Sequence, residues 1–125
     1  MTGARLRKLL LALLLAGCWD DTAIPTVCLV PLELSLSAAF PAYQFSLVGR
    51  YVADGTSVMK TASCPGTFSG GSCDENGISL RDFDNTAVIL DLTIIAGPDT
   101  VFDGELPVEP APSCSSAARE VAVEL

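Results

Sequence analysis

From residue 27 to residue 125 this sequence predicts an all-β fold, a single small β-sandwich. Three observations lead there. Apolar and polar residues alternate with period two in several stretches, the pattern of half-buried strands. Glycine, proline, asparagine and aspartate mark turns between those stretches. Four cysteines are spread along the same region, an even number that suits a disulfide-stapled domain.

The elements follow in order. In "CLVPLELSLS", Cys28, Val30, Leu32, Leu34 and Leu36 share one face, with Glu33, Ser35 and Ser37 on the other. Pro31 interrupts the ladder and suggests an edge strand or a bulge. In "YQFSLVGRY", Tyr43, Phe45, Leu47 and Tyr51 alternate with Gln44, Ser46 and Arg50, and Asp54-Gly55 signals a turn. A less regular strand follows from Ser57 to Cys64. "CPGTFSGGSCDENG" reads as a glycine-rich excursion closed by its own two cysteines, with a turn at Asn76-Gly77. Ile78 to Phe83 is a short strand. Thr86 to Ala96, "TAVILDLTIIA", is the strongest strand; Ile89 and Ile95 make its second face partly apolar too, as in a central strand. Gly97-Pro98-Asp99 ends it, and "ELPVEPAPSC" reads as proline-rich and irregular. The final "REVAVEL" sets Val121, Val123 and Leu125 against Glu120, Ala122 and Glu124. A helix over Ser115 to Leu125 competes there, since alanine and glutamate favour helices. The strict alternation favours a strand. The sum is six or seven short strands, no internal repeat and no second domain.

The N-terminus has a different character. "LLLALLLAGCWDD" is an unbroken apolar run that ends at one cysteine. Leu9 to Gly17 is nine residues long, where a membrane-spanning helix needs about 20. Arg5, Arg7 and Lys8 precede it. A basic start, a short leucine-rich stretch and small residues form the layout of a secretory signal. A buried core helix fits badly, because no polar face interrupts the run.

Leu15-Ala16-Gly17-Cys18 resembles the lipobox of bacterial lipoproteins. The resemblance implies that residues 1–17 are a lipoprotein signal peptide. Cys18 would receive a diacylglyceryl group, become the first mature residue, and carry a further fatty acyl chain such as palmitate on its amino group. Residues 18–26 then form a lipidated anchor and tether. One acyl chain binds membranes marginally and stable attachment needs two, which such an anchor supplies. Trp19 suits the headgroup level. In the enterobacterial members an aspartate directly after the cysteine retains the protein in the inner membrane. Here Trp19 holds that place, so the resemblance points to the outer membrane. The alternative is ordinary signal cleavage, with Cys18 left as a spare thiol.

Without residues 1–17, four basic residues (Arg50, Lys60, Arg81, Arg119) face all fifteen acids. Such a surface keeps the chain soluble and turns it away from nucleic acid. With Cys18 set aside for lipid, Cys28, Cys64, Cys73 and Cys114 allow three pairings. Spacing favours Cys64–Cys73 as a local clasp and Cys28–Cys114 as a staple between the ends of the domain. A four-cysteine zinc site would need close C-x-x-C pairs, and there are none.

The layout also resembles small lipoproteins with a carboxypeptidase-regulatory-like or transthyretin-like sandwich. Cys114 shortly before "EVAVEL", and the pair Cys64 with Cys73 across a mid-chain loop, carry that likeness. The first hairpin, "LSLSAAFPAYQFSLVG", departs from the family's glycine- and proline-marked β-turn-β. The departure leaves the topology open between immunoglobulin-like and transthyretin-like.

The chain has no histidine, so catalytic triads with histidine, histidine-ligated zinc and imidazole acid-base chemistry are excluded. "SGGS" is too short for a phosphate loop and lacks the lysine. In "RDFDNT", Asp82, Asp84 and Asn85 begin like a calcium loop, but the fifth position is Thr86 and no glycine follows. The competing reading is a polar turn between strands. The expectation is a non-enzymatic envelope lipoprotein without cofactor. It would be held on the membrane through Cys18, with a structural or protein-interaction role toward an envelope protein or glycan. The alternative is a binding module for glycan or calcium, and a carboxylate-based hydrolase comes third. The loop from Cys64 to Cys73 is the first candidate for contact, because its bridge limits the entropy lost on binding.

Overall fold

The computed structural model describes residues 28–125; the signal peptide, Cys18 and the tether lie outside the described residues. Among the described residues nine strands form two sheets: β1 (Leu32–Leu36), β2 (Tyr43–Tyr51), β3 (Ser57–Cys64), β4 (Gly66–Phe68), β5 (Gly71–Asp74), β6 (Gly77–Leu80), β7 (Val88–Ala96), β8 (Asp99–Val108) and β9 (Arg119–Val123). One sheet has five strands in the order β9-β1-β6-β5-β4, the other four in the order β3-β2-β7-β8. All pairings are antiparallel except β9 with β1, which is parallel.

The alternation in the sequence becomes the core. Leu32, Leu34, Ile78 and Leu80 from one sheet meet Phe45, Leu47, Leu90, Leu92 and Ile94 from the other, all buried in one cluster. The register explains the match: Leu47 lies opposite Leu92 and Phe45 opposite Ile94, so inward residues stack in rows. β2 and β7 are the inner strands of their sheet, in accord with the two-faced apolar pattern of "TAVILDLTIIA". Gly97, at φ 63°, turns the chain from β7 into β8 in a conformation that favours glycine.

Four local expectations change. β1 is not an edge strand: it is paired on both sides, and Pro31 stands just before it, where its carbonyl accepts the Arg119 N–H at 2.7 Å. The glycine-rich excursion is a β-hairpin, β4–β5. The turn that follows lies at Glu75-Asn76, and Gly77 already opens β6. The Asp74 carboxylate accepts the N–H groups of Asn76 (2.8 Å) and Gly77 (2.9 Å), which sets that turn one residue earlier. β6 stops at Leu80, yet Phe83 is fully buried and reaches the core from the loop. Its ring occupies the space a side chain at Gly49 would need, which accounts for a glycine inside the long strand β2.

The largest departure is β8. In "ELPVEPAPSC" the half from Glu109 to Cys114 is irregular as the sequence suggests, but Glu105 to Val108 belongs to a ten-residue strand that runs from Asp99 through Pro107 to Val108. The register shifts between Ile94 and Ile95, which makes Val101 an extra residue. That bulge sets Val101 and Phe102, both partly buried, side by side and hides the period of two. Pro107 is tolerated because β8 is an edge strand, where a missing N–H costs least.

At the end of the molecule farthest from Cys28, Tyr43 ties the two sheets together. Its hydroxyl donates to the carbonyls of Asp74 (2.8 Å) and Gly77 (3.2 Å). Burial, aided by the nearby Asp74 charge, pushes the phenol up to about 12. The folded state therefore holds the proton more tightly than the unfolded chain, whose phenols titrate near 10. The stabilisation is complete below about pH 10 and is lost as pH rises toward 12. Thermal unfolding between pH 8 and 11.5 should show a fall in Tm above pH 10 that Tyr43→Phe lessens. An equally steep fall in both proteins would remove Tyr43 from the explanation.

Candidate functional site

The residues singled out in the sequence serve to hold the fold. Cys28 bonds Cys114 across a sequence separation of 86, and Cys64 bonds Cys73 across 9. The Cys64–Cys73 segment is a poorer contact loop than its composition suggests. Phe68 at its centre packs edge-on against Phe45 with ring centroids 5.3 Å apart, and Gly71 is buried. Only side chains such as Thr67 and Ser69 face outward.

The three calcium candidates go separate ways. Asp82 accepts a hydrogen bond from the Lys60 ammonium at 2.6 Å. Asp84 gives its backbone carbonyl to Arg119 and pairs as an isolated bridge with Leu29. Asn85 exchanges two bonds with Ala111: its amide donates to the Ala111 carbonyl at 3.0 Å and accepts the Ala111 N–H at 2.6 Å. Among the described residues no group of three or more His, Cys, Asp or Glu side chains converges where a metal ion would sit. "RDFDNT" forms a turn whose Asp82 and Asn85 side chains and Asp84 backbone each hold a different neighbouring segment.

Lys60 has a specific task. It lies opposite Leu47 and so on the inward side of edge strand β3; from there its ammonium crosses to Asp82 and to the Ser69 carbonyl at 2.9 Å. An inward-turned charge on an edge strand discourages a further strand from adding there.

The opposite side of the sandwich is open. There the edge strands are β9 of one sheet and β8 of the other. In "REVAVEL", Arg119 and Val123 are buried and Val121 is half-buried, while Glu120, Ala122 and Glu124 are exposed. The parallel pairing with β1 uses the backbone of the odd-numbered residues: the Arg119 N–H donates to Pro31, and the Val123 carbonyl accepts the Ser37 N–H at 3.0 Å. The N–H and C=O groups of Glu120 and Ala122 therefore face away from β1, on the open edge. Beside them runs a groove of about 520 Å³ with an apolar floor that includes Val108, Ala111, Pro112, Ala118 and Val121. Glu109 and Glu120 flank it.

Arg119 holds this edge in place. Its guanidinium donates to four backbone carbonyls: Val30 (3.0 Å), Phe83 (3.3 Å), Asp84 (2.9 Å) and Thr86 (3.1 Å). Among the described residues no carboxylate bonds it, and its buried Nε has no partner there. Burial lowers its pKa, against the pull of Tyr51 and Asp84. Comparison with protein-family models, with curated proteins and with solved structures gives no significant match to this chain. Its chemistry is therefore read from these residues alone. The sequence did carry one sign of the Arg119 clamp: Arg119 falls in phase with Val121 and Val123, on the inward side of its strand.

A second hollow, about 390 Å³, lies on the outer face of the four-stranded sheet among Gln44, Ser46, Thr61, Ser63 and Thr93. Exposed Ile95 lies among these polar side chains, and Phe45 and Ala62 complete the lining. The open edge differs in offering unpaired backbone groups beside apolar surface, and it is the candidate site.

Proposed function

We propose that this chain is a lipid-anchored protein of the bacterial cell envelope, attached through Cys18, with a structural or protein-interaction role and no catalysis. The observation that carries the reading is the pairing of Cys28 with Cys114 and of Cys64 with Cys73. Two bridges suit an oxidising compartment outside the cytoplasm. They also occupy all four cysteines after the signal region, which leaves the cysteine of the lipobox-like Leu15–Cys18 for acylation. Trp19 in place of aspartate after that cysteine favours the outer membrane within the same resemblance.

The order of the strands supports a transthyretin-like sandwich over an immunoglobulin-like one. In the immunoglobulin arrangement the first two strands, A and B, share a sheet. Here β1 lies in the five-stranded sheet and β2 in the four-stranded one. The protein-interaction role draws on the open β9 edge, since function on such scaffolds sits on their exposed margins and loops. The acids that remain accessible are on the outside of strands and in turns, and those that form contacts serve caps and clasps.

Labelled palmitate should enter the wild-type protein and leave Cys18→Ser unlabelled. The wild-type protein should also fractionate with membranes and the variant with soluble material. Equal labelling of both would defeat the anchor.

A further inference from the structure

We propose that the open edge of β9 and the groove beside it take up an extended peptide in which apolar and basic residues alternate. The inference rests on the interaction role proposed above and names its site and the chemistry of the partner. Three observations carry it. Among the described residues the backbone groups of Glu120 and Ala122 have no ladder partner, so an added strand would extend the five-stranded sheet by one. Side chains of that strand alternate between two faces. Those in phase with Val121 enter the apolar groove between β8 and β9. Those in phase with Glu120 stand on the outer face, where Glu120 lies beside Glu33 and Glu124 follows on the same side.

The charges select the occupant. Of the four basic residues among those described, Lys60 is paired with Asp82 and Arg119 is buried. Arg50 is on β2 and Arg81 follows β6, so neither belongs to β8 or β9. The exposed face of the edge is acidic: the one base on its strands, Arg119, is buried and turned inward onto backbone carbonyls. A second copy of the chain would bring the row of Glu120 and Glu124 against the same row, and like charges across a strand pair are unfavourable. The chain's own residues 18–27, "CWDDTAIPTV", carry Asp20 and Asp21 and no base, so they share the sign of the edge. A foreign strand of opposite charge fits where these two do not. The two edges use their inward-turned charges differently: Lys60 reaches across to the Asp82 carboxylate, whereas Arg119 on β9 is held by backbone carbonyls at one end of its strand and leaves the Glu120 and Ala122 backbone facing outward.

The test uses the full chain, lipidated and solubilised in mild detergent, and a fluorescent eight-residue peptide of alternating lysine and valine. Anisotropy should show binding that weakens with salt and exceeds that of an alternating glutamate–valine peptide by about tenfold or more. Glu120→Lys with Glu124→Lys should reverse the preference. A lysine–valine peptide N-methylated at alternate residues keeps its charge and loses the backbone donors, and it should not bind. Circular dichroism establishes that the variant is folded. Three results would each overturn the proposal: equal binding of the methylated peptide, an unreversed preference, or no binding by a folded wild-type chain. Cross-linking through residues 120–124 to a second copy would overturn it in favour of self-association. If the peptide fails but cross-linking on intact cells captures an envelope protein through another face, this site is wrong and the interaction role stands.

Discussion

Replacing Cys28 and Cys114 together by serine should lower stability by about 4–5 kcal/mol, as expected from the chain entropy of so long a loop. The bridge closes a sequence separation of 86, nearly the whole described domain. Cys114 is exposed and Cys28 half-buried, so little packing is lost with the sulfurs. The effect should therefore come from the unfolded state, which expands once the staple is gone. Urea unfolding checks this in two ways: the midpoint should fall and the m-value should rise, because more surface is exposed on unfolding. A loss under about 1 kcal/mol with an unchanged m-value would show that the bridge does not restrain the unfolded chain as this account requires. The structure also gives the bridge local company. The Asn85 N–H donates to the Cys28 carbonyl at 2.6 Å, and Asn85 clasps Ala111, three residues before Cys114. Part of that end should stay joined after the sulfurs are removed.

Arg119→Met should cost about 3–5 kcal/mol, although methionine fills much of the same space. The guanidinium satisfies carbonyls of Val30, Phe83, Asp84 and Thr86, from the approach to β1 and the loop before β7. Removing it takes the guanidinium donor from all four; the Asp84 carbonyl keeps the Thr86 N–H at 2.8 Å, and each buried carbonyl left without a donor carries its own desolvation cost. Arg119→Lys should recover only part, since a compact ammonium cannot present the planar fork that reaches several carbonyls at once. The order of stability expected from urea unfolding is wild type, then lysine, then methionine. A methionine variant within about 1 kcal/mol of wild type would show that packing, and not the carbonyl cluster, holds this end. Because Arg119 opens β9, the methionine variant should also loosen the open edge, visible as faster amide exchange at Val121 and Val123.

Both changes act at the end of the sandwich where Cys28 enters the fold. That end joins residues 28–31, the turn "RDFDNT" and the connection from Glu109 to Ala118. Under the proposed anchor, the tether leaves from there, and the strongest clasp of the domain stands at the point where the membrane attachment would pull.

The sequence by itself determined the all-β class and the faces of β2, β7 and β9, and it favoured, among three possible pairings, the one the structure shows. Those features are local or arithmetic: alternation follows from the two-residue period of a strand, and few pairings of four cysteines are possible. The tertiary structure alone decided the rest, because it depends on which distant segments become neighbours. β8 was hidden by the extra Val101 at its bulge and by a proline that only an edge position permits. β1 looked like an edge because of Pro31, until β9 came to lie beside it from the far end of the chain. Asp82, Asp84 and Asn85 of "RDFDNT" are close in sequence, yet the Asp82 carboxylate goes to Lys60, the Asp84 backbone bridges to Leu29 and the Asn85 amide clasps Ala111. The open edge exists because, among the described residues, β9 finds a partner on one side and none on the other, a property of the assembled sheet that no single stretch of residues contains.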